Sequence, residues 1–179
     1  VALRPEQAGG RLVLSWREGS AAGGVDGPTA FRWASGETHL STAQKASFFA
    51  STEAESEGEA RLNYLRGDRS RETAGNPLFR ERASRQGDIV NSKVWYVARP
   101  AAAYGFDGYS SFFTTHKDRL PMLYVGGNDG MLHGFSGVDG TEKIAYVPKG
   151  VIPGLRQLTQ TGYDRAHRDL VGGSPFTGV

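Results

Sequence analysis

Four groups of residues have types and spacing that suggest chemistry. Arg66-Gly67-Asp68 puts a guanidinium and a carboxylate on either side of a glycine, the arrangement a loop uses to show a cation and a metal-binding carboxylate to an integrin-type receptor. The same tripeptide suits a helix end, with Gly67 stopping the helix and the two charges in local ion pairs. Tripeptides recur by chance, so the helix-end reading leads. Asn128, Asp129 and Asp139 offer oxygen donors, but the alternating acidic spacing of a calcium loop is absent, and Asp-Gly hairpin turns account for them. His39, His116, His133 and His167 are scattered, and His133 falls in a strand pattern, where a hydrogen-bonded core or rim histidine is expected rather than a zinc ligand. Asp88, Ser92 and His133 supply the residue types of a catalytic triad without a nucleophile elbow. There is no P-loop, and Gly126-Gly127 lacks the third spaced glycine of a dinucleotide fingerprint. No catalytic or metal-binding residue is therefore assigned. Tyr104, Phe106 and Tyr109, with Phe112 and Phe113, gather aromatic surface in the Gly-rich stretch YGFDGYSSFFTT, which either caps a rim of the fold or forms a contact loop.

The elements that would position these residues centre on Leu120 to Pro148. Met122-Leu123-Tyr124-Val125 is an apolar strand, and Gly126 to Gly130 is a tight reversal made of residues that tolerate positive φ. Met131 to Phe135 is a second strand, with Met131, His133 and Phe135 on one face. A turn at Val138-Asp139-Gly140-Thr141 leads to a third strand, Glu142 to Val147, ended by Pro148. Three short strands joined by two Asp-Gly turns make a β-meander, the texture of one propeller blade.

Upstream, Arg11 to Trp16 and Thr29 to Trp33 predict a hairpin with a long Gly/Ala/Ser loop, Glu18 to Pro28, whose Trp16 and Trp33 either stack across it or rest on the core, two core aromatics being the leading reading over a ligand platform. Ser41 followed by Gln44 forms a capping box that starts a helix carrying Leu40, Gln44, Phe48 and Phe49 near one face. The acidic run Glu53, Glu55, Glu57, Glu59 reads as a solvated loop or helix start, followed by a helix over Gly58 to Leu65. Arg61, Arg66, Arg69, Arg71, Arg80, Arg82 and Arg85 alternate with Asp68, Glu72, Glu81 and Asp88, which predicts a charged surface connection broken at Asn76-Pro77. Ile89 to Val97 returns to strand pattern, and Phe112-Phe113 begins a short helix running to Lys117. Arg156 to Asp164 predicts a helical turn, and His167 to Val171 the beginning of another strand.

Composition narrows the class. Twenty-five glycines and 38% hydrophobic residues in 179 favour a turn-rich β protein over a helical bundle. A net charge of +2 gives no basic face for nucleic acid, so no nucleic-acid partner is expected. The absence of cysteine leaves stability to the core or to bound ions. No apolar run approaches the ~20 residues of a membrane helix, so no membrane span is expected in this stretch. The chain begins at Val1 and stops at Thr177-Gly178-Val179 inside strand-like sequence, and is expected to be a fragment of a longer exported protein.

The segment YVGGNDGMLHGFSGVDGTEKIAYVP resembles the blade signature of the PilY/PilC family of type IV pilus tip-associated proteins. Gly87 to Ser92, Leu65 to Ser70, Pro148 to Leu155 and Gly173-Ser174-Pro175 agree in order and spacing, so the resemblance covers residues 60 to 179. Where the family has Asp-Gly-Ser-Pro, this chain has Gly172-Gly173-Ser174-Pro175, without the aspartate. The family includes members with calcium loops. No segment here matches one, so no cofactor is expected in this chain and calcium is left to other parts of the full-length protein.

The resulting expectation is a mainly β chain: a partial β-propeller of about one blade plus flanking strands, with a small helical segment and an N-terminal hairpin. Its divisions are 1–57, hairpin and helix upstream of the propeller; 58–86, helix and charged connection; and 87–179, the start of the propeller. The resemblance implies a non-enzymatic protein at the cell surface, pilus tip or outer membrane. It would act in pilus biogenesis and adhesion with minor pilins, the pilus tip complex and a host-cell receptor. Two other classes fit the blade texture. A quinoprotein-like dehydrogenase shares the turns, although Gly140 to Tyr146 lacks the tryptophan such repeats carry. A carbohydrate-binding propeller would use Tyr104, Phe106 and Tyr109.

Overall fold

The computed structural model describes residues 10–19, 25–72, 78–165 and 167–177. Six strands form one open sheet: β1 Val13–Arg17, β2 Gly27–Ala30, β3 Trp95–Val97, β4 Met122–Gly127, β5 Met131–Ser136 and β6 Glu142–Val147, in the order β2-β1-β6-β5-β4-β3. The expected meander is β4-β5-β6. Its reversals fall at Gly130 (φ 84°) and Gly140 (φ 70°), conformations that only glycine adopts cheaply. β3 pairs antiparallel with β4 through Trp95↔Tyr124 and Val97↔Met122, completing a four-stranded blade. The sheet is not closed, in keeping with part of a β-propeller.

The N-terminal hairpin forms as expected, with β1 antiparallel to β2. It is also part of the blade's own sheet. β1 runs parallel to β6 through Val13↔Ala145 and Ser15↔Val147, with the Ala145 amide donating to Leu12 O at 2.9 Å and Ser15 Oγ to Val147 O at 2.8 Å. Residues 20–24 of the hairpin loop and the Asn76-Pro77 break lie outside the described residues.

Strand alternation divides the sheet into two unlike faces. Val13, Phe31, Met131, Ala145 and Val147 point to one side and pack with Leu40, Phe48, Leu62, Leu65, Phe79, Ile152, Leu155 and Leu158 in a single buried cluster. That layer consists of α1 Thr42–Ala46, α2 Glu55–Arg66 and the 3₁₀ segment Lys149–Thr159. Ser41 caps α1 through the full capping box with Gln44, and Trp33 rests edge-on against Phe48 and Phe49. Trp16 instead lies on the other face of the sheet, its indole N–H donating to Asp26 at 2.7 Å. That other face presents Leu14, Trp16, Met122, Tyr124, Leu132, Ile144 and Tyr146, all half-buried, and Trp95, which is exposed. Gly134 lies among them as a notch filled by the Tyr124 and Ile144 side chains.

Four further expectations are corrected. The charged stretch after α2 is not a surface connection throughout, because Glu72 and Arg82 are buried against each other and Phe79 enters the core. Arg82 earns that position by bonding the Tyr64 and Asp68 carbonyls and lying over the Tyr64 ring. Strand structure in Ile89 to Val97 is confined to Trp95–Val97, and Asn91, Ser92 and Lys93 make bonds with side-chain groups instead. His167 to Val171 is not in a strand, since it finds no ladder partner among the described residues. The aromatic stretch contains α3 Tyr109–His116, which starts three residues earlier than its Phe112-Phe113 signal.

Candidate functional site

The strongest concentration of perturbed ionisable groups lies on the covered face, where the N-terminal segment meets the blade. Glu142 opens β6 beside a β-bulge at Gly134/Phe135 that turns its carboxylate toward His133 on β5. Arg11, just before β1, grips Glu142 with two bonds, Nε to Oε2 at 2.6 Å and Nη2 to Oε1 at 2.8 Å, and donates from Nη1 to the Arg66 carbonyl at 2.7 Å. His133 Nδ1 meets Glu142 Oε1 at 2.8 Å, and Nε2 meets both Asp129 oxygens at 3.0 and 3.1 Å. Asp129 sits in the β4–β5 turn, where it also accepts from the Gly87 and Met131 amides. Arg11, His133 and Glu142 are 2%, 0% and 2% exposed, so water does not screen the contacts among them, whereas Asp129 is part-buried.

The electrostatics follow from that burial. Desolvation alone would lower the His133 pKa, but Asp129 and then Glu142 outweigh it and raise it to about 9. Burial likewise works to raise the pKa of Asp129 and Glu142. His133, with the Gly87 amide and Arg11, reverses that for Asp129, and His133 and Arg11 reverse it for Glu142, so both stay lowered and ionised. The result is a neutral line of alternating charge: Arg11⁺, Glu142⁻, His133⁺, Asp129⁻. A protonated His133 has no lone pair and donates from both ring nitrogens, so it is no general base. The array is a clamp joining five parts of the chain: the segment before β1, the end of α2, the β4–β5 turn, β5 and the start of β6.

A second node lies beside it. Asn128 donates from Nδ2 to Asp88 at 3.0 Å and to Asp169 at 3.2 Å, and its Oδ1 accepts from the Leu170 amide at 3.2 Å. Asp88 also meets His167 at 3.2 Å, and Asn91 donates to Asp169 at 2.8 Å. A cavity of about 60 Å³, lined in part by Tyr64, Arg82, Asp88, Asp129 and His167, lies between the two nodes. No group of three or more His, Asp or Glu side chains among the described residues is placed to hold a metal ion.

The sequence-assigned residues fall as follows. Arg66 is the last residue of α2 and Gly67 its left-handed cap (φ 115°), with the Gly67 amide on Tyr64 O and the Asp68 amide on Asn63 O. The Arg66 guanidinium is 1% exposed and donates to the Phe31 and Arg11 carbonyls, so it faces inward, while Asp68 caps Ser70 at the surface. The tripeptide has helix-end geometry. Asp88, Ser92 and His133 do not form a relay: Ser92 Oγ donates to Gly173 O and accepts from the Gly126 amide, and both His133 nitrogens are engaged elsewhere. Tyr104, Phe106 and Tyr109 do come together, with ring centroids 5.2 to 5.6 Å apart, and Phe112 extends the group. Tyr109 is buried beneath the others with its hydroxyl unpartnered, whereas Tyr104 and Phe106 are exposed. Arg11 and Glu142 were missed because a pair 131 residues apart leaves no local signal. The bulge that aims Glu142 inward leaves none either.

A four-stranded antiparallel blade within an open sheet defines a propeller-class chain, and comparison with known proteins agrees. The PilY1 β-propeller domain family matches residues 86–178, and the chain belongs to the PilY1 family. It is 38% identical over 185 aligned residues to the type IV pilus biogenesis factor PilY1 of Pseudomonas aeruginosa strain PAK, and 37% identical to that of strain PAO1, with 96% of this chain covered in each case. A PilY1 homolog from Xylella fastidiosa strain Temecula1 is 40% identical over 119 residues, 63% of this chain. The chain spans about 15% of the length of the two Pseudomonas relatives. No solved structure matches it significantly.

Proposed function

We propose that this chain forms the opening section of the propeller domain of a type IV pilus biogenesis factor, exported to the cell surface and acting at the pilus tip with minor pilins. The observation that carries the reading is the identity to the Pseudomonas pilus biogenesis factors across almost the whole chain, N-terminal hairpin included. The physical role is that of a scaffold. A sheet clamped to its helical layer by buried charge holds its loops stiffly, and loops on a rigid frame are where contacts are made.

Adhesion to surfaces or host cells is assigned to the aromatic knob on the β3–β4 excursion, where Tyr104 and Phe106 stack at 5.3 Å over Tyr109 and remain exposed. Arg66-Gly67-Asp68 is a weaker candidate, because its guanidinium is bonded to two carbonyls in the interior. The test is complementation of a strain lacking the gene. Deleting the protein should abolish surface pili, whereas the double substitution Tyr104→Ala/Phe106→Ala should keep pili and lower attachment several-fold. Normal piliation without the protein would refute the biogenesis reading. Unchanged attachment by the double variant would remove the adhesive role of the knob alone.

A further inference from the structure

The excursion between β3 and β4, residues 98–121, contributes no side chain to the buried cluster beneath the sheet. Its helix α3 is open to solvent along most of its length: residues 110–115 are all exposed, Phe112 and Phe113 among them. Only Tyr109 of the helix is buried, with the rings of Tyr104, Phe106 and Phe112 around it. So much apolar surface turned to water marks a contact surface.

The far end of the same helix is cationic. Arg99, Lys117 and Arg119 line a cleft of about 340 Å³ with Tyr96, two alanines and Pro121. Arg119 Nε donates to Ala98 O, which fixes the guanidinium at the cleft wall. Arg99 and Lys117 have no hydrogen-bond or ion-pair partner among the described residues. By contrast, Arg61, Arg71 and Arg82 each hold a glutamate. Asp107 and Asp118, the two acids of the excursion, do not line the cleft. Aromatic and cationic parts adjoin. Helical geometry continues through the cap residue Lys117 (φ −60°, ψ −29°), so Phe113 and Lys117, four residues apart, are neighbours on the helix surface. Phe112 meets His116 at 4.7 Å on the adjacent stripe.

We propose that this excursion docks on an anionic phospholipid bilayer, with Phe106, Phe112 and Phe113 entering the boundary between headgroups and acyl chains and Arg99, Lys117 and Arg119 meeting lipid phosphates. The proposal deepens the reading of the aromatic knob as a contact surface, on which it rests. Apolar rings flanked by Lys and Arg suit an interface where buried area and attraction to anionic lipid add together. A glycan suits the cleft less well, because sugar hydroxyls need acceptors as well as donors and no Asp, Glu, Asn or Gln lines it. The phenylalanines offer a sugar no polar atom either, and the Tyr109 hydroxyl is buried without a partner instead of reaching the surface.

The experiment is flotation of the full-length protein with vesicles of phosphatidylcholine alone, or of phosphatidylcholine mixed equally with phosphatidylglycerol, at about 0.1 M salt. The protein should float with the anionic vesicles and stay behind with the neutral ones. Arg99→Gln/Lys117→Gln changes two exposed, unpaired positions and should lower partitioning about thirtyfold, the effect of removing two cations beside a negative surface. Phe112→Ala/Phe113→Ala should release the protein as well. Equal binding to both vesicle types, binding to neither, or undiminished binding by the Arg99/Lys117 variant would overturn the proposal, as would binding to an acidic glycan array in place of vesicles. Attachment is scored separately in the complemented strain. Attachment lost in Tyr104→Ala/Phe106→Ala without vesicle binding by the parent would remove lipid docking and keep the adhesive knob. Vesicle binding by the parent with attachment unchanged in that variant would keep lipid docking and remove the adhesive role.

Discussion

Replacing Glu142 by Gln is the sharpest perturbation of the charge clamp. The amide keeps the shape of the carboxylate but leaves two buried cations, Arg11 and His133, with one anion, Asp129, which bonds only His133 of the two. Removing one partner of a buried, hydrogen-bonded pair costs about 3–5 kcal/mol, a large share of a domain's total of roughly 5–15 kcal/mol. The exposed Lys143–Asp139 pair, at 3.6 Å, serves as control: Lys143→Ala should cost under about 1 kcal/mol. The clamp also predicts a pH profile. His133 is raised from 6.5 to about 9 on folding, so its stabilisation is fully present below pH 6.5 and is lost as pH rises through 9. The loss is about 3 kcal/mol, at ~1.4 kcal/mol per pH unit. Asp129 and Glu142 are lowered, so their contribution holds above their ordinary values of 3.8 and 4.5 and disappears as pH falls further. Stability of β5 and β6 should therefore be greatest between about pH 4.5 and 6.5. Hydrogen exchange of the β5 and β6 amides in the full-length protein, corrected for the intrinsic pH dependence of exchange, reads both effects. Protection in Glu142→Gln within about 1 kcal/mol of the parent, or a flat profile from pH 6.5 to 9, would refute the argument.

Two smaller perturbations follow from the packing. Gly126→Ala should loosen residues 171–177 by about 1–3 kcal/mol through the clash with Val171 O, seen as faster exchange of that strip with β5 unaffected; equal protection would show that the close approach is not real. Ser41→Ala removes the side chain that caps Gln44 N, and should cost about 1 kcal/mol in thermal unfolding, whereas Ser41→Asp should restore most of it.

The meander was legible because two local signals agreed there: period-two alternation, and Asp-Gly turns at the two glycines that adopt positive φ. The capping box at Ser41 and the stop at Gly67 were legible for the same reason, since each is settled within a few residues. What escaped was non-local. Arg82 looked like one surface arginine among seven until Tyr64, Asp68 and Glu72 were brought around it. The parallel pairing of β1 with β6 has no sequence signature, and it places the hairpin in the sheet of the blade. His133 read correctly as a bonded interior histidine, but its partners Glu142 and Arg11 did not, because one depends on a bulge and the other on a segment more than a hundred residues away.

The union of hairpin and blade in one sheet is what brings Arg11 to Glu142, and a single cross-link tests it. Ser15 and Val147 are register partners across β1 and β6, and no cysteine in this chain competes with a pair placed there. Ser15→Cys/Val147→Cys should oxidise spontaneously and link the peptides of the two strands in a non-reduced digest. Two thiols that are alkylated independently in the folded protein would mean that β1 does not lie beside β6.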